Sequence, residues 1–122
     1  MRQRNYNLLV RKEKVLDKTD EEEKYMEYVS LSNGVKMPIL GYGVYQVTKD
    51  ECKKCVLDAL KAGYRAIDTA QSYFNEEEVG EAIQESGIPR EEIFLTTKVW
   101  VEHYSYEEAK KSVEESMRKL KT

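Results

Sequence analysis

Cysteine is scarce in this sequence, with two residues in 122. That excludes the small disulfide-stapled scaffolds of secreted proteins and points to a reducing compartment. Apolar runs are short as well. Leu8-Leu9-Val10, behind the basic start Met1-Arg2-Gln3-Arg4, falls far below the roughly 7 to 15 apolar residues of a signal-peptide core, and no stretch approaches the about 20 residues of a membrane span. The expected location is cytoplasmic, with no membrane partner. Charge of one sign is not in excess: 20 Lys and Arg face 23 Asp and Glu for a net charge of -3. These charges are mixed along the chain, so no phosphate-binding face is announced and nucleic acid is not an expected partner. There is no Gly-x-Gly-x-x-Gly, the fingerprint of a dinucleotide crevice, and histidine occurs once, at His103.

What is present is one modest globular domain, 40% hydrophobic and 35% charged, preceded by a polar segment. Residues 1–27 balance bases against acids and carry the run Asp20-Glu21-Glu22-Glu23. They read as a charged, flexible or loosely helical extension facing water, and residues 28–122 as the ordered part. From Tyr28 the apolar residues alternate: Val29 and Leu31 precede Asn33-Gly34, and Val35 and Met37 follow it, the pattern of a two-residue β-hairpin. Ile39-Leu40-Gly41-Tyr42-Gly43-Val44-Tyr45 reads as a buried strand whose glycines permit close approach of a backbone or ligand.

Three helices and two further strands then alternate. Thr48 and Glu51 form a capping box ahead of Cys52, Cys55, Val56, Ala59 and Leu60, with a stop at Gly63. Arg65–Asp68 is a strand. Asn75 with Glu78 opens a helix with the apolar face Val79, Ala82 and Ile83, ending at Gly87. Ile93–Val99 is apolar and β-branched, a third strand, and Ser105 with Glu108 caps a last helix with Ala109, Val113, Met117 and Leu120 on one side. Strand and helix in strict alternation give an α/β fold with parallel strands, either a doubly wound sheet or part of a (β/α) barrel. Periodicity does not choose between them. Cys52 and Cys55 make a Cys-x-x-Cys, but no strand leads into a helix N-terminus at the first cysteine and no second ligand pair exists for zinc. They read as small core residues, and no metal site is expected.

Parallel α/β folds collect reactive groups at the carboxyl ends of their strands. Asp68 closes the second strand, Tyr73 lies in the loop after it, and Lys98 closes the third. A phenol with a pKa near 10 donates its proton poorly at neutral pH, but a nearby ammonium stabilises the phenolate and lowers that value. Lys98 is placed to do this for Tyr73, with Asp68 keeping the lysine charged and oriented. The tyrosine could then give its proton to an oxygen that becomes negative as hydride reaches carbon. Against this stand ordinary readings: an Asp capping a turn, a solvated Lys, one of nine tyrosines packing in place.

The continuous segment Gly63-Tyr64-Arg65-Ala66-Ile67-Asp68-Thr69-Ala70-Gln71-Ser72-Tyr73-Phe74-Asn75-Glu76-Glu77-Glu78-Val79-Gly80 strongly resembles the first signature of the aldo/keto reductases. The resemblance runs from about Val29 to the end, through Gly41-Tyr42-Gly43 and Thr96-Thr97-Lys98-Val99-Trp100. It implies a partial (β/α)8 TIM barrel: a floor hairpin plus the first three βα units, with the barrel not closed. It further implies reduction of aldehydes or ketones to alcohols with NADPH, or alternatively NADH, on a small-molecule carbonyl substrate. By the same resemblance Asp68, Tyr73 and Lys98 take three of four catalytic positions, with Tyr73 as general acid. Gly43, Val44, Tyr45 and Asp68 approach the nicotinamide, and Tyr73 and Trp100 line the substrate pocket.

The fourth catalytic position in the family is a histidine on the fourth barrel strand, which would fall after Thr122. His103 follows Trp100 in the loop after the third strand and reads as a surface or pocket-rim residue. The basic residues that hold the adenosine phosphate come from the last barrel strand and helix of relatives. A complete barrel takes about 250 residues. The expectation for this polypeptide is therefore little turnover on its own and self-association through an open barrel edge. The alternative is a non-catalytic truncated remnant that acts as a binding or assembly partner.

Overall fold

The computed structural model describes residues 13–16 and 25–122. The Leu8–Val10 run and the acidic run Asp20–Glu23 lie outside the described residues. The chain divides into two compact units, Met1–Ile39 and Leu40–Thr122.

The first unit is an antiparallel meander of β1 (Glu13–Leu16), β2 (Tyr25–Ser30) and β3 (Lys36–Pro38). Strand therefore occurs at 13–16 and 25–27, within the segment read from sequence as a flexible or loosely helical extension. β1 pairs with β2 from Glu13↔Tyr28 to Leu16↔Tyr25, and β2 with β3 through Val29↔Met37. The hairpin turn differs from the expected two-residue form. Leu31 N–H donates to Val35 O at 2.8 Å and Gly34 N–H to Leu31 O at 2.9 Å, with Gly34 at φ 82°. Ser32, Asn33 and Gly34 are thus a three-residue loop: a tight turn followed by a left-handed glycine, which needs no second left-handed residue. Asn33 Oδ1 accepts from Val35 N–H at 3.1 Å and stiffens the turn.

The second unit holds a parallel sheet ordered β4 (Tyr42–Gly43), β5 (Ala66–Asp68), β6 (Phe94–Thr96). Tyr42 aligns with Ile67, and Ile67 with Leu95. The helices are α1 (Lys49–Lys61), α2 (Glu76–Glu85) and α3 (Tyr106–Leu120), with short 3₁₀ turns at Gln71–Tyr73 and Arg90–Glu92. The long buried strand expected over 39–45 shrinks to two residues. Ile39 and Leu40 are 52% and 54% exposed, and of that run only Val44 enters the core.

The core is assembled from one stripe of each helix facing the sheet. α1 contributes Cys52, Val56, Ala59 and Leu60, spaced for one helical face, and α2 contributes Val79, Ala82 and Ile83. Ile67, Ile93 and Leu120 close it. Each fully buried aliphatic side chain stabilises the unit by roughly 1.5–3 kcal/mol relative to exposure. Cys52 is wholly buried and Cys55 half-buried, both as free thiols. Burial pushes the Cys52 thiol up to about 11, with Glu78 adding to the shift.

Two of the three expected caps take another form. Thr48 is the N-cap of α1, but its hydroxyl donates to the Glu51 carboxylate at 2.9 Å and makes no bond to the helix N–H groups. Asn75 precedes α2 yet sends its side chain inward. Ser105 and Glu108 do form a reciprocal capping box on α3. The apolar side expected for α3 is mostly open: Leu120 is buried, but Val113 and Met117 are 42% and 50% exposed.

Candidate active site

The carboxyl ends of β5 and β6 carry the charged groups, and parallel pairing of Asp68 with Thr96 brings them level. Thr69 N–H donates to Thr96 O at 2.8 Å and Gln71 N–H to Lys98 O at 3.1 Å, so the pairing continues beyond the strands and holds both loops together. Asp68, Tyr73 and Lys98 converge there. Lys98 Nζ donates to Asp68 Oδ1 at 2.5 Å, to Thr69 O at 3.0 Å, and reaches Tyr73 Oη at 3.5 Å. It also lies 5.1 Å from the centre of the Tyr73 ring.

Partial burial of Lys98 disfavours its charge. The hydrogen bonds to Asp68 and Tyr73 and the attraction of the carboxylate outweigh it, so the ammonium pKa is raised above its ordinary value. The lysine thus stays charged beside the phenol oxygen. Asp68 and Lys98 side chains remain 44% and 48% exposed, and the cluster opens to solvent where a substrate could enter.

Tyr73 is oriented by its own turn. Its N–H donates to Ala70 O at 3.0 Å, and Phe74 follows in the left-handed region at φ 57°, a conformation costing about 1–2 kcal/mol for an L residue. That turn directs Asn75 into the interior. Asn75 is fully buried: its Nδ2 donates to Val44 O at 3.0 Å and Val47 O at 3.1 Å, and its Oδ1 accepts from Thr69 Oγ1 at 2.8 Å. One amide therefore ties the loop after β4 to the loop after β5. From spacing Asn75 reads as a cap, and its place in the segment that resembles the family signature was the one signal for a further role.

The loop after β4 places Tyr45 against the site, its ring 5.2 Å from that of Tyr73 and tilted by 52°. Gly43 is exposed, and a Cβ added there would meet nothing within 4 Å. Val44 lies beneath this loop. Its side chain is fully buried, its N–H donates to Asp68 O at 3.0 Å, and its carbonyl accepts from Asn75 and Val47. A valine between two exposed neighbours packs inward because alternate residues on extended chain face opposite ways.

Trp100 packs its ring 5.2 Å from that of Phe74, a partner the sequence did not flag. It is half-buried and at the rim, not in the core cluster. His103 is exposed, with Nδ1 3.2 Å from Gln71 Oε1. Among the described residues no group of three His, Cys, Asp or Glu is placed to hold a metal ion, and no helix is long and apolar enough to cross a membrane.

This geometry, an ammonium shared between a carboxylate and a phenol at the ends of parallel strands, can be set beside known proteins. Residues 30–122 match the model of the aldo/keto reductase family. Glyoxal reductase of Bacillus subtilis is 50% identical over 93 residues, which cover 75% of this chain and 34% of that protein. Glycerol 2-dehydrogenase (NADP(+)) of Saccharomyces cerevisiae is 47% identical over 93 residues, 75% of this chain and 29% of that protein. The crystal structure of an aldo/keto reductase from Brucella melitensis superposes with a TM-score of 0.76 at 53% identity, covering 78% of this chain and 36% of that one. The chain spans about a third of the length of these relatives. Over residues 30–122 it belongs to the aldo/keto reductase family.

Proposed function

We propose that this chain forms the proton-handling part of an oxidoreductase that reduces aldehydes or ketones to alcohols with NADPH, NADH being the alternative, on a partial (β/α)8 barrel of three βα units. The observation that carries it is Lys98 Nζ held between Asp68 Oδ1 and Tyr73 Oη. Tyr73 is the general acid. As the carbonyl oxygen becomes negative, the Tyr73 hydroxyl gives it a proton, and the adjacent ammonium stabilises the phenolate left behind. Asp68 keeps Lys98 charged and aimed.

The residues present fit a nicotinamide at this rim. Gly43 leaves its backbone open to close approach, Tyr45 offers an exposed ring beside Tyr73, and Asp68 borders them. Val44 supports this loop from beneath. A nicotinamide bound there supplies hydride to the carbonyl carbon, and the relative named for NADP(+) makes the phosphorylated form the first to test. Phe74 and Trp100 give the site an aromatic wall suited to an apolar or mixed small-molecule substrate.

The test follows NADPH absorbance with a reactive aromatic aldehyde, using this chain and a chimera that joins it to the C-terminal portion of a relative. Each is run beside its Tyr73→Phe variant. Activity in the chimera that falls about 10²- to 10⁴-fold in the variant supports the reading. Absence of turnover in both favours the second reading, a non-catalytic binding or assembly partner. The observation behind that reading is structural: β6 stands at the end of the sheet order and α3 leaves Val113 and Met117 half-exposed. Self-association through this edge is read by sedimentation at rising concentration.

A further inference from the structure

We propose that Gln71 is a positioning residue whose side-chain amide pins the loop after β6 to α3 and so fixes the Phe74–Trp100 aromatic pair at the end of the turn that carries Tyr73. The proposal rests on the reading of that pair as part of a carbonyl pocket.

Gln71 opens the short turn that ends in Tyr73, and both ends of its amide are used. Oε1 accepts from Trp100 N–H at 2.7 Å and lies 3.2 Å from His103 Nδ1. Nε2 donates to Ser112 O at 3.1 Å and to Ser116 Oγ at 3.0 Å, both on α3. The backbone N–H of Gln71 donates to Lys98 O as well. One residue therefore grips the loop by two successive stretches, at Lys98 and at Trp100, and anchors it to a helix.

The anchor is rigid. Ser116 is 2% exposed and donates onward to Glu76 Oε2 at 3.3 Å, while Glu76 Oε1 accepts from Thr97 Oγ1 at 2.6 Å. The network thus starts and ends on the segment that carries Lys98. By contrast the loop has little apolar hold of its own, with Val99 and Val101 44% and 70% exposed. A short hydrogen bond to such a loop changes its population by about fivefold. Glutamate has no donor for the Ser112 carbonyl, and leucine has neither donor nor acceptor, so the paired functions need an amide.

Trp100 is the sole tryptophan, which makes its emission a direct report on this loop. The experiment compares acrylamide quenching of Trp100 in the unmodified chain, in Gln71→Leu, and in Ser72→Ala as an adjacent exposed control, with circular dichroism on each. A rise of about twofold in the quenching constant for Gln71→Leu alone, with unchanged dichroism, is the expected result. Equal quenching in a folded Gln71→Leu chain overturns the proposal. Should that variant fail to fold, amide exchange in the unmodified chain decides. Trp100 N–H exchanging about tenfold more slowly than Val101 N–H supports the pin, and equal rates overturn it. Neither measurement involves turnover, so a loose loop with Tyr73-dependent reduction would sink this inference alone, and a pinned loop without reduction would sink only the catalytic reading.

Discussion

A Cβ built on Gly80 would stand 2.5 Å from the carbonyl oxygen of Lys119 and 2.8 Å from the Cα of Leu120. The two helices α2 and α3 meet backbone to backbone there. Gly→Ala in a helix interior ordinarily stabilises by about 1 kcal/mol through propensity, but here the clashing atoms are main chain and yield only if α3 shifts. Gly80→Ala is expected to destabilise the chain by about 1–3 kcal/mol in urea unfolding, with Glu81→Ala, which gives up only a partly exposed pair with Lys53 at 3.6 Å, near neutral. A more stable Gly80→Ala chain would show that α3 is not seated as described.

Asn75 holds three partners, the buried Val44 carbonyl, the part-buried Val47 carbonyl and the buried hydroxyl of Thr69. Asn75→Ala takes the partner from the Val47 carbonyl and the Thr69 hydroxyl and leaves the Val44 carbonyl only the Val47 N–H, and a loss of about 1–3 kcal/mol is expected. Asn75→Asp keeps the shape but removes both donors and buries a charge facing two carbonyl oxygens, so its loss is the larger. Chemical denaturation of the two variants side by side checks the order; were Asp milder than Ala, the amide would not be donating to these carbonyls.

The Glu108 carboxylate accepts from the Ser105 hydroxyl at 2.7 Å and the Ser105 N–H at 3.2 Å, and these bonds set its pKa below the usual glutamate value. A depressed folded pKa means that the box is in place above the unfolded value near 4.5 and is lost as pH falls through the lower folded value. Carbon NMR of the Glu108 carboxyl should give a midpoint under 4.5, moved upward by Ser105→Ala. A midpoint indifferent to that change would show the box to be open in solution.

Lys98 titrates in the opposite sense. Its raised pKa places the stabilising contacts with Asp68 and Tyr73 below pH 10.5, and they are lost as pH climbs through the higher folded value. Both side chains are nearly half-exposed, so Lys98→Met should cost only about 1 kcal/mol or less in stability at neutral pH. The difference between the variant and the parent should shrink in alkaline solution.

Thiol accessibility separates the two cysteines. Cys52 is fully buried with its pKa pushed up to about 11, whereas Cys55 is half-buried. Ellman's reagent at mildly alkaline pH should titrate one thiol quickly in the native chain and both in denaturant. Fast reaction of both thiols without denaturant would contradict the packing of α1.

The alternation of apolar stripes with turn signals placed α1, α2 and α3 and strands at 65–68 and 93–99, which the structure shortens to 66–68 and 94–96, because a helix or strand must bury one face and that demand is written every 3.6 or 2 residues. The same reading gave Asp68 and Lys98 at strand ends and Tyr73 between them. It overextended the strand at 39–45, since an apolar run does not reveal that Ile39 and Leu40 face outward. It placed Thr48 and Asn75 rightly at the N-cap positions of α1 and α2 but gave their side chains to the helix N–H groups, because a cap signature specifies residue types and not which of two available partners wins.

Spacing alone pointed to the parallel α/β order and the polar segment ahead of it, and it made Asp68, Tyr73 and Lys98 candidates that the family resemblance then singled out. Tertiary structure decided what those residues touch. Lys98 meets Tyr73 only because β5 and β6 pair in register, Asn75 turns inward only because Phe74 adopts a left-handed conformation, and Gln71 reaches Ser116 only because α3 folds back over the loop. Contacts between residues about 25 to 45 positions apart depend on packing distances that no local pattern encodes, which is why Asp68, Tyr73 and Lys98 stood out as candidates early and the amides of Gln71 and Asn75 did not.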